Sequence, residues 1–304
     1  MDIRSSVLDL IGNTPLVRIA KLNPNPAVDL VAKLEWYNPL GSVKERIAFR
    51  MIQAAIRDGR LTKDKIILES SSGNTGIGLA MVGAVLGYRV AITISAGVSI
   101  ERRQILEAFG AEIILTSKEG GSDEAWDKAD ELHRASPELY VRLHQYKSPD
   151  NADTHEFDTA EEIWQQTDGQ VDCVVSTLGT TGTAVGLSRG LKKKNPAIRI
   201  VSVEPPPGKH AQQGIRNVDY SRTPMIWDPQ SVDERIVVSD QDALDAARDL
   251  IRHEGLFGGI SCGSALVGAQ KVARRMTGGR IVVIFPDHAY KYLTTALFAP
   301  LGGR

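Results

Sequence analysis

The stretch Asn38-Pro-Leu-Gly-Ser-Val-Lys-Glu-Arg46 joins an extended segment to a helix, and the rest of the chain reads outward from it. Behind the Pro-Leu-Gly-Ser turn, Ile47, Ala48, Met51, Ile52 and Ala55 recur at intervals of three and four. That spacing predicts a helix over Glu45–Arg57 with one buried face. Lys44 then stands in the first turn, at the positive end of the helix dipole, where a cation is disfavoured. Desolvation of an ammonium lowers its pKa further. Two readings of Lys44 fit this stretch taken alone: a solvated lysine at a helix start, or an amine nucleophile suited to Schiff-base chemistry.

Upstream, Gly12-Asn-Thr-Pro15 is a turn into a short strand, Leu16–Arg18, and Asp29–Glu35 alternates as a strand feeding the Lys44 turn. Downstream the pattern predicts strands at Lys65–Leu68, Arg89–Ile94, Glu112–Thr116, Tyr140–Leu143, Asp172–Ser176, Arg199–Glu204 and Arg280–Phe285. Helices are expected over Thr75–Leu86, Ile100–Phe109, Asp123–Ala135, His155–Gln166, Val185–Lys194, Asp240–Glu254 and Ser264–Met276. Alternating units with Val- and Ile-rich strands predict an α/β fold of mostly parallel sheets covered by helices on both faces. A break near residue 146 would divide the chain into two such sheets, with ligands at the carboxyl ends of the strands. The segment Pro205–Pro229, rich in Pro, Gly and polar residues, is a loop whose length points to function.

Charge narrows the function classes. Lys and Arg number 36 against 37 Asp and Glu, so the basic surplus of a nucleic-acid-binding protein is missing. The two cysteines, Cys173 and Cys262, form no C-x-x-C pair and read as reduced thiols of a cytoplasmic protein. The six histidines form no H-x-x-x-H or Cys/His cluster, so no metal site is expected. The chain shows neither an apolar signal core nor an eighteen-residue apolar run, which predicts neither secretion nor membrane spanning.

Three more stretches carry chemistry. Glu69-Ser-Ser-Ser-Gly-Asn-Thr-Gly76 lies between a strand and a helix, where backbone N–H groups and the helix start can bind a carboxylate. The alternative is an ordinary capped loop, since Ser and Asn cap helices well. In Ser176-Thr-Leu-Gly-Thr-Thr-Gly-Thr183, the part from Gly179 to Thr183 packs two glycines and three threonines into a cup of donors suited to a phosphate dianion. It is neither G-x-G-x-x-G nor a Walker A sequence, which favours a small phosphorylated ligand over a nucleotide. In Gly258-Gly-Ile-Ser-Cys-Gly-Ser264, Ser261 opens a further helix and on its own reads as a plain N-cap.

Together these stretches resemble the cysteine synthase (O-acetylserine sulfhydrylase) group of fold-type II pyridoxal-phosphate enzymes, a tryptophan synthase β-like fold. The resemblance runs from Ile11-Gly-Asn-Thr-Pro-Leu16 to Lys291-Tyr-Leu-Thr-Thr295. It implies that residues 40–145 form a smaller domain with the substrate loop and a mobile segment. Residues 1–39 with 146–304 would form a larger domain that binds the cofactor phosphate. Lys44 would carry pyridoxal phosphate as a Schiff base and, once freed, remove the substrate α-proton. Asn74 would hydrogen-bond the cofactor's phenolic oxygen, and Gly179, Thr180, Thr181, Gly182 and Thr183 would hold its phosphate. Ser261 would face the pyridine nitrogen, and Ser71, Ser72, Gly73, Asn74, Thr75 and Gln145 would grip the substrate carboxylate. A neutral hydroxyl at the ring nitrogen, where many such enzymes use Asp or Arg, makes the ring a weaker electron sink and favours prompt β-elimination. The implied reaction is β-replacement on an activated L-serine through an α-aminoacrylate, with sulfide or another sulfur donor, in a homodimer.

Some residues depart from the family pattern. Gly179-Thr-Thr-Gly-Thr183 resembles the B-type branch, whose members accept bulkier or more anionic partners. Arg216 matches an arginine that O-phosphoserine-using relatives carry near the substrate, and its fork suits a phosphate. The alternative for Arg216 is a solvated loop arginine. O-phospho-L-serine is therefore expected ahead of O-acetyl-L-serine. Ser70-Ser71 replace the usual residues before the substrate loop, and Ile94-Ser-Ala-Gly-Val98 replaces a turn in the part of the family fold that closes over substrate. This leaves room for an amino-acid nitrogen nucleophile, as in diaminopropionate-type synthesis. A non-catalytic module on a Rossmann-like sheet is the reading from another class.

Overall fold

The computed structural model describes residues 3–71, 73–98 and 100–298. The chain divides into two compact units. One comprises the segment ending at Ile11 with Asn38–Asn151, the other Gly12–Tyr37 with the chain from Ala152 onward.

The smaller unit is built on four parallel strands in the order Glu112–Thr116, Arg89–Ser95, Ile66–Ser70 and Tyr140–Arg142. Ile66–Ser70 is buried along its whole length, as a strand covered on both faces must be. On one face Ile67 and Ile92 pack with Ile47, Met51 and Ile52 of the helix Lys44–Arg57 and with Ile77 of the helix Asn74–Leu86. Leu8 is buried in the same cluster, so the first residues, expected with the larger domain, go with this unit. The two helices approach to backbone contact at Gly78. A Cβ there would lie 3.1 Å from the Ala48 Cβ and 3.3 Å from the Lys44 carbonyl oxygen. A larger residue would push the two helix starts apart.

The larger unit has six strands in the order Leu16–Arg18, Val28–Leu34, Gly279–Phe285, Cys173–Thr177, Arg199–Glu204 and Glu234–Val237. Only the first pair is antiparallel. Alternate residues serve opposite faces. Leu30, Val175, Val203 and Val283 pack against the helices Asp240–Asp249 and Ile260–Ala273. Their neighbours Val31, Val174 and Val282 pack against the helices Ala160–Gln166 and Gly182–Lys194. Lys33 is fully buried, which its three hydrogen bonds allow: to Glu162 Oε2 at 2.6 Å, the Thr14 carbonyl at 2.6 Å and Gln166 Oε1 at 3.0 Å.

The predicted α/β order is present, with differences of detail. The helix predicted over His155–Gln166 begins earlier, at Pro149–Thr154, and passes through one π-helical turn, His155–Thr159, before Ala160–Gln166. The helices expected from Val185 and Ser264 begin at Gly182 and Ile260. The edge strand Glu234–Val237 was not expected; it is four residues long with one buried position, too little for an apolar pattern to register. Among the described residues no helix is long and apolar enough to cross a membrane, and no cluster of His, Cys, Asp and Glu could hold a metal ion.

Candidate functional site

In the smaller unit, the turn before Lys44 is held by its own polar residues. The Gly41 N–H donates to the Asn38 carbonyl at 2.9 Å. The Ser42 hydroxyl donates to Glu45 Oε1 at 2.7 Å and the Ser42 N–H to Glu45 Oε2 at 3.0 Å, so one carboxylate fixes both donors of Ser42 at the helix start. Ser42 Oγ also accepts the Lys44 N–H at 3.2 Å. Ser42 and Glu45 are both fully buried and Lys44 is half-buried, so the motif's Ser and Glu act as scaffold for the lysine.

The carboxylate-loop candidates follow the strand Ile66–Ser70. Ser71 Oγ accepts the N–H groups of Gly73 at 3.2 Å and Gly76 at 2.9 Å, so this hydroxyl shapes the loop from inside. Asn74 opens the next helix. Thr75 donates to Gln145 Oε1 at 2.7 Å, and Gln145 Nε2 donates to the Ser70 carbonyl at 2.8 Å. The structure thus joins Gln145 to the loop across seventy residues, and Ser70 takes one of its two amide hydrogens. Ser72 lies outside the described residues.

Beneath the loop lie partners that the sequence does not announce. Glu69, fully buried, accepts the N–H groups of Ser70 at 2.9 Å and Gln145 at 3.2 Å. Burial raises its carboxyl pKa, against the pull of the Arg142 guanidinium 3.5 Å away. His144 sits at φ 57°, and burial with the Arg142 and Lys147 charges lowers its pKa to about 4. Arg102, also buried, lies against the loop: a Cβ on Gly73 would be 3.4 Å from its guanidinium carbon. The Glu-Arg-Arg run at 101–103 is the one sequence signal that could have drawn attention to it.

In the larger unit the glycine–threonine turn has the character of an anion cup. Thr181 precedes the helix Gly182–Lys194 at φ 70°, and no side chain caps that helix start. Thr180, Thr181 and Thr183 are buried, and Thr181 Oγ1 has no hydrogen-bond partner among the described residues. A buried unsatisfied hydroxyl costs about 1–3 kcal/mol. An anion with several oxygens would satisfy it together with the first N–H groups of the helix. Thr183 Oγ1 lies 3.2 Å from Nε2 of the buried His155, whose Nδ1 lies 2.9 Å from Thr159 Oγ1. The π turn is what supplies His155.

The loop that carries Arg216 is packed onto this turn. The Arg216 N–H donates to the Leu178 carbonyl at 2.7 Å, and a Cβ on Gly179 would come within 2.5 Å of the Gly214 carbonyl oxygen. The half-buried Arg216 side chain donates from Nη1 to the Arg222 carbonyl at 2.8 Å. Ser261, buried in the first turn of its helix, donates to Asp287 Oδ1 at 3.4 Å. Cys262 beside it is a packed thiol, its pKa pushed well up by burial and by the Asp287 charge. Burial likewise pushes Cys173 up to about 12, so neither cysteine is a ready nucleophile.

Lys44, Ser71, Gly73, Asn74, Thr75 and Gln145 therefore gather in the smaller unit, while the Gly179–Thr183 turn, Arg216 and Ser261 belong to the larger. Comparison with known proteins identifies the family. The family model described as pyridoxal-phosphate dependent enzyme matches residues 7–287. The chain is 42% identical over 303 residues to a cysteine synthase of Aquifex aeolicus, covering 97% of this chain and 93% of that one. A solved cysteine synthase of Entamoeba histolytica superposes with a TM-score of 0.93 at 39% identity, over 99% of this chain and 93% of that one. An O-ureido-L-serine synthase does so with a TM-score of 0.93 at 33% identity, over 99% and 98%. The chain belongs to the cysteine synthase family of pyridoxal-phosphate-dependent enzymes.

Proposed function

We propose that this cysteine synthase-type enzyme replaces the β-substituent of O-phospho-L-serine, in preference to O-acetyl-L-serine, with sulfide or another sulfur donor. The observation that carries the reading is the backbone of Arg216. Its N–H bond to Leu178 and the Gly214–Gly179 contact hold this arginine beside the glycine–threonine turn.

The residues fit the family's cofactor. The unsatisfied Thr181 hydroxyl and the uncapped helix start suit a phosphate dianion. Bound pyridoxal phosphate supplies an aldehyde that captures amines and a ring that accepts electrons. Lys44 would hold it covalently and, when released, its amine would take the substrate α-proton. Gly179, Thr180, Thr181, Gly182 and Thr183 would hold the phosphate, Asn74 the phenolic oxygen and Ser261 the ring nitrogen. The remaining amide hydrogen of Gln145 and the backbone of Ser71–Thr75 would hold the substrate carboxylate, with Ser72 included in that set. Arg216 would supply a charge-assisted contact to the leaving phosphate. The enzyme is read as a cytoplasmic homodimer.

Steady-state kinetics with the two serine esters test the substrate. A charge-assisted contact is worth about 1.5–3 kcal/mol, so Arg216→Ala should lower kcat/KM for O-phosphoserine about ten- to a hundredfold and spare O-acetylserine. Equal losses for both would remove the arginine from the reading. Borohydride reduction of the holoenzyme followed by peptide mass analysis should place the cofactor on Lys44. The likeness to an O-ureido-L-serine synthase supports a second reading, a nucleophile other than sulfur such as an amino-acid nitrogen. Product masses from competing acceptors decide between the two.

A further inference from the structure

In the smaller unit the parallel ladder between Ile66–Ser70 and Tyr140–Arg142 ends at the pair Leu68 and Arg142. Beyond it His144, at φ 57°, turns the chain, and a carboxylate takes over the pairing. Glu69 Oε1 accepts the Ser70 N–H at 2.9 Å, and Oε2 accepts the Gln145 N–H at 3.2 Å. Gln145 Nε2 returns to the Ser70 carbonyl at 2.8 Å, which closes a ring around that carboxylate. The Gln145 carbonyl accepts from Asn151 Nδ2 at 2.7 Å, and Gln145 Oε1 accepts from Thr75 at 2.7 Å. Glu69, Ser70, Thr75, Gln145 and Asn151 are all buried. The Arg142 guanidinium, 3.5 Å from Glu69 Oε1, supplies the counter-charge.

A glutamine side chain has two amide hydrogens, and Ser70 takes one of those on Gln145. The direction of the other is fixed only while the Gln145 backbone and the Ser70 carbonyl keep their separation. Glu69 is bonded to both sides of it. We infer that Glu69 is a positioning residue for substrate recognition: by tying Gln145 to Ser70 through their backbone N–H groups, it aims the second amide hydrogen of Gln145 at the substrate carboxylate. This rests on the reading that Gln145 holds that carboxylate. Both oxygens of Glu69 must accept at once, which an ionised carboxylate does and an amide, with one oxygen, does not. A substitution at Glu69 therefore acts on ligands that carry a carboxylate and not on amines that lack it.

The test titrates the holoenzyme with L-serine and with 2-aminoethanol, the same molecule without its carboxylate, and follows the absorbance of the bound cofactor. Glu69→Gln should weaken L-serine binding about tenfold and leave 2-aminoethanol unchanged, as should Gln145→Ala. The double variant should bind L-serine no worse than Gln145→Ala alone, because Glu69 acts through Gln145. Unchanged L-serine affinity in Glu69→Gln, an equal loss for the amine, or losses that add in the double variant would each overturn the inference. If instead Gln145→Ala binds L-serine as wild type does, the placement of Gln145 at the carboxylate has failed, and the role of Glu69 falls with it. Glu69→Asp keeps the charge beside Arg142 but is one methylene short of spanning both N–H groups. It should show the same selective loss, and it supplies the reading if Glu69→Gln does not fold.

Discussion

Replacing Gly179 by alanine tests whether the glycine–threonine turn grips the cofactor through its phosphate. The new Cβ would lie 2.5 Å from the carbonyl oxygen of Gly214, whereas real Cβ contacts essentially never fall below 3.0 Å. The obstacle is backbone, so no side chain can swing aside. The turn and the Gly214–Arg216 segment must part by about 0.5 Å or more, which strains the 2.7 Å bond from the Arg216 N–H to the Leu178 carbonyl. Overpacking of this kind costs about 1–3 kcal/mol. If the cost falls on the phosphate site, affinity for pyridoxal phosphate drops about five- to a hundred-and-fifty-fold. Cofactor-free protein, wild type and variant, would be titrated with pyridoxal phosphate and with pyridoxal, which lacks the phosphate. The loss should appear with the first and be absent with the second. Unchanged affinity for pyridoxal phosphate, or equal losses for both, would refute the assignment of the turn.

Two further outcomes follow from buried charge. The native pKa of His144 is lowered to about 4 from an ordinary 6.5, so the folded protein holds this ring neutral and the unfolded chain protonates first. Stability from this site is complete above about pH 6.5 and is lost as the pH falls toward 4. His144→Asn, which tolerates the positive φ, should flatten the fall in urea midpoint between about pH 7 and about pH 5; an unchanged slope would clear His144. Breaking the Lys33–Glu162 pair by Glu162→Gln leaves a buried ammonium short of its counter-charge and should cost about 3–5 kcal/mol in urea unfolding. The double change Lys33→Met, Glu162→Leu should cost much less; a single variant no weaker than the double would show that the pair is not what matters.

What the sequence made legible was whatever repeats locally or stands contiguous. The strand Ile66–Ser70 and the helix Lys44–Arg57 announce themselves by apolar runs and spacing, and Lys44, the Ser71–Thr75 loop and the Gly179–Thr183 turn occupy single short stretches. The helices beginning at Gly182 and Ile260 read late because a small, glycine-containing first turn carries no apolar period, although that first turn is where the candidate ligand contacts lie. The supporting residues left no such trace. Glu69 meets Gln145 across seventy-six positions, Thr183 meets His155 across twenty-eight and Ser261 meets Asp287 across twenty-six. Each is an ordinary polar residue in its own neighbourhood. Burial gives them away in retrospect: a hydroxyl or amide withdrawn from water needs a partner, and one facing a ligand still has a back to satisfy. Gln145 is satisfied by Thr75 and Ser70, and Ser261 by Asp287, so the residue types in the motifs specify the ligand while distant partners specify how each is turned. A motif can therefore be intact while the partners that orient it lie far away in the chain.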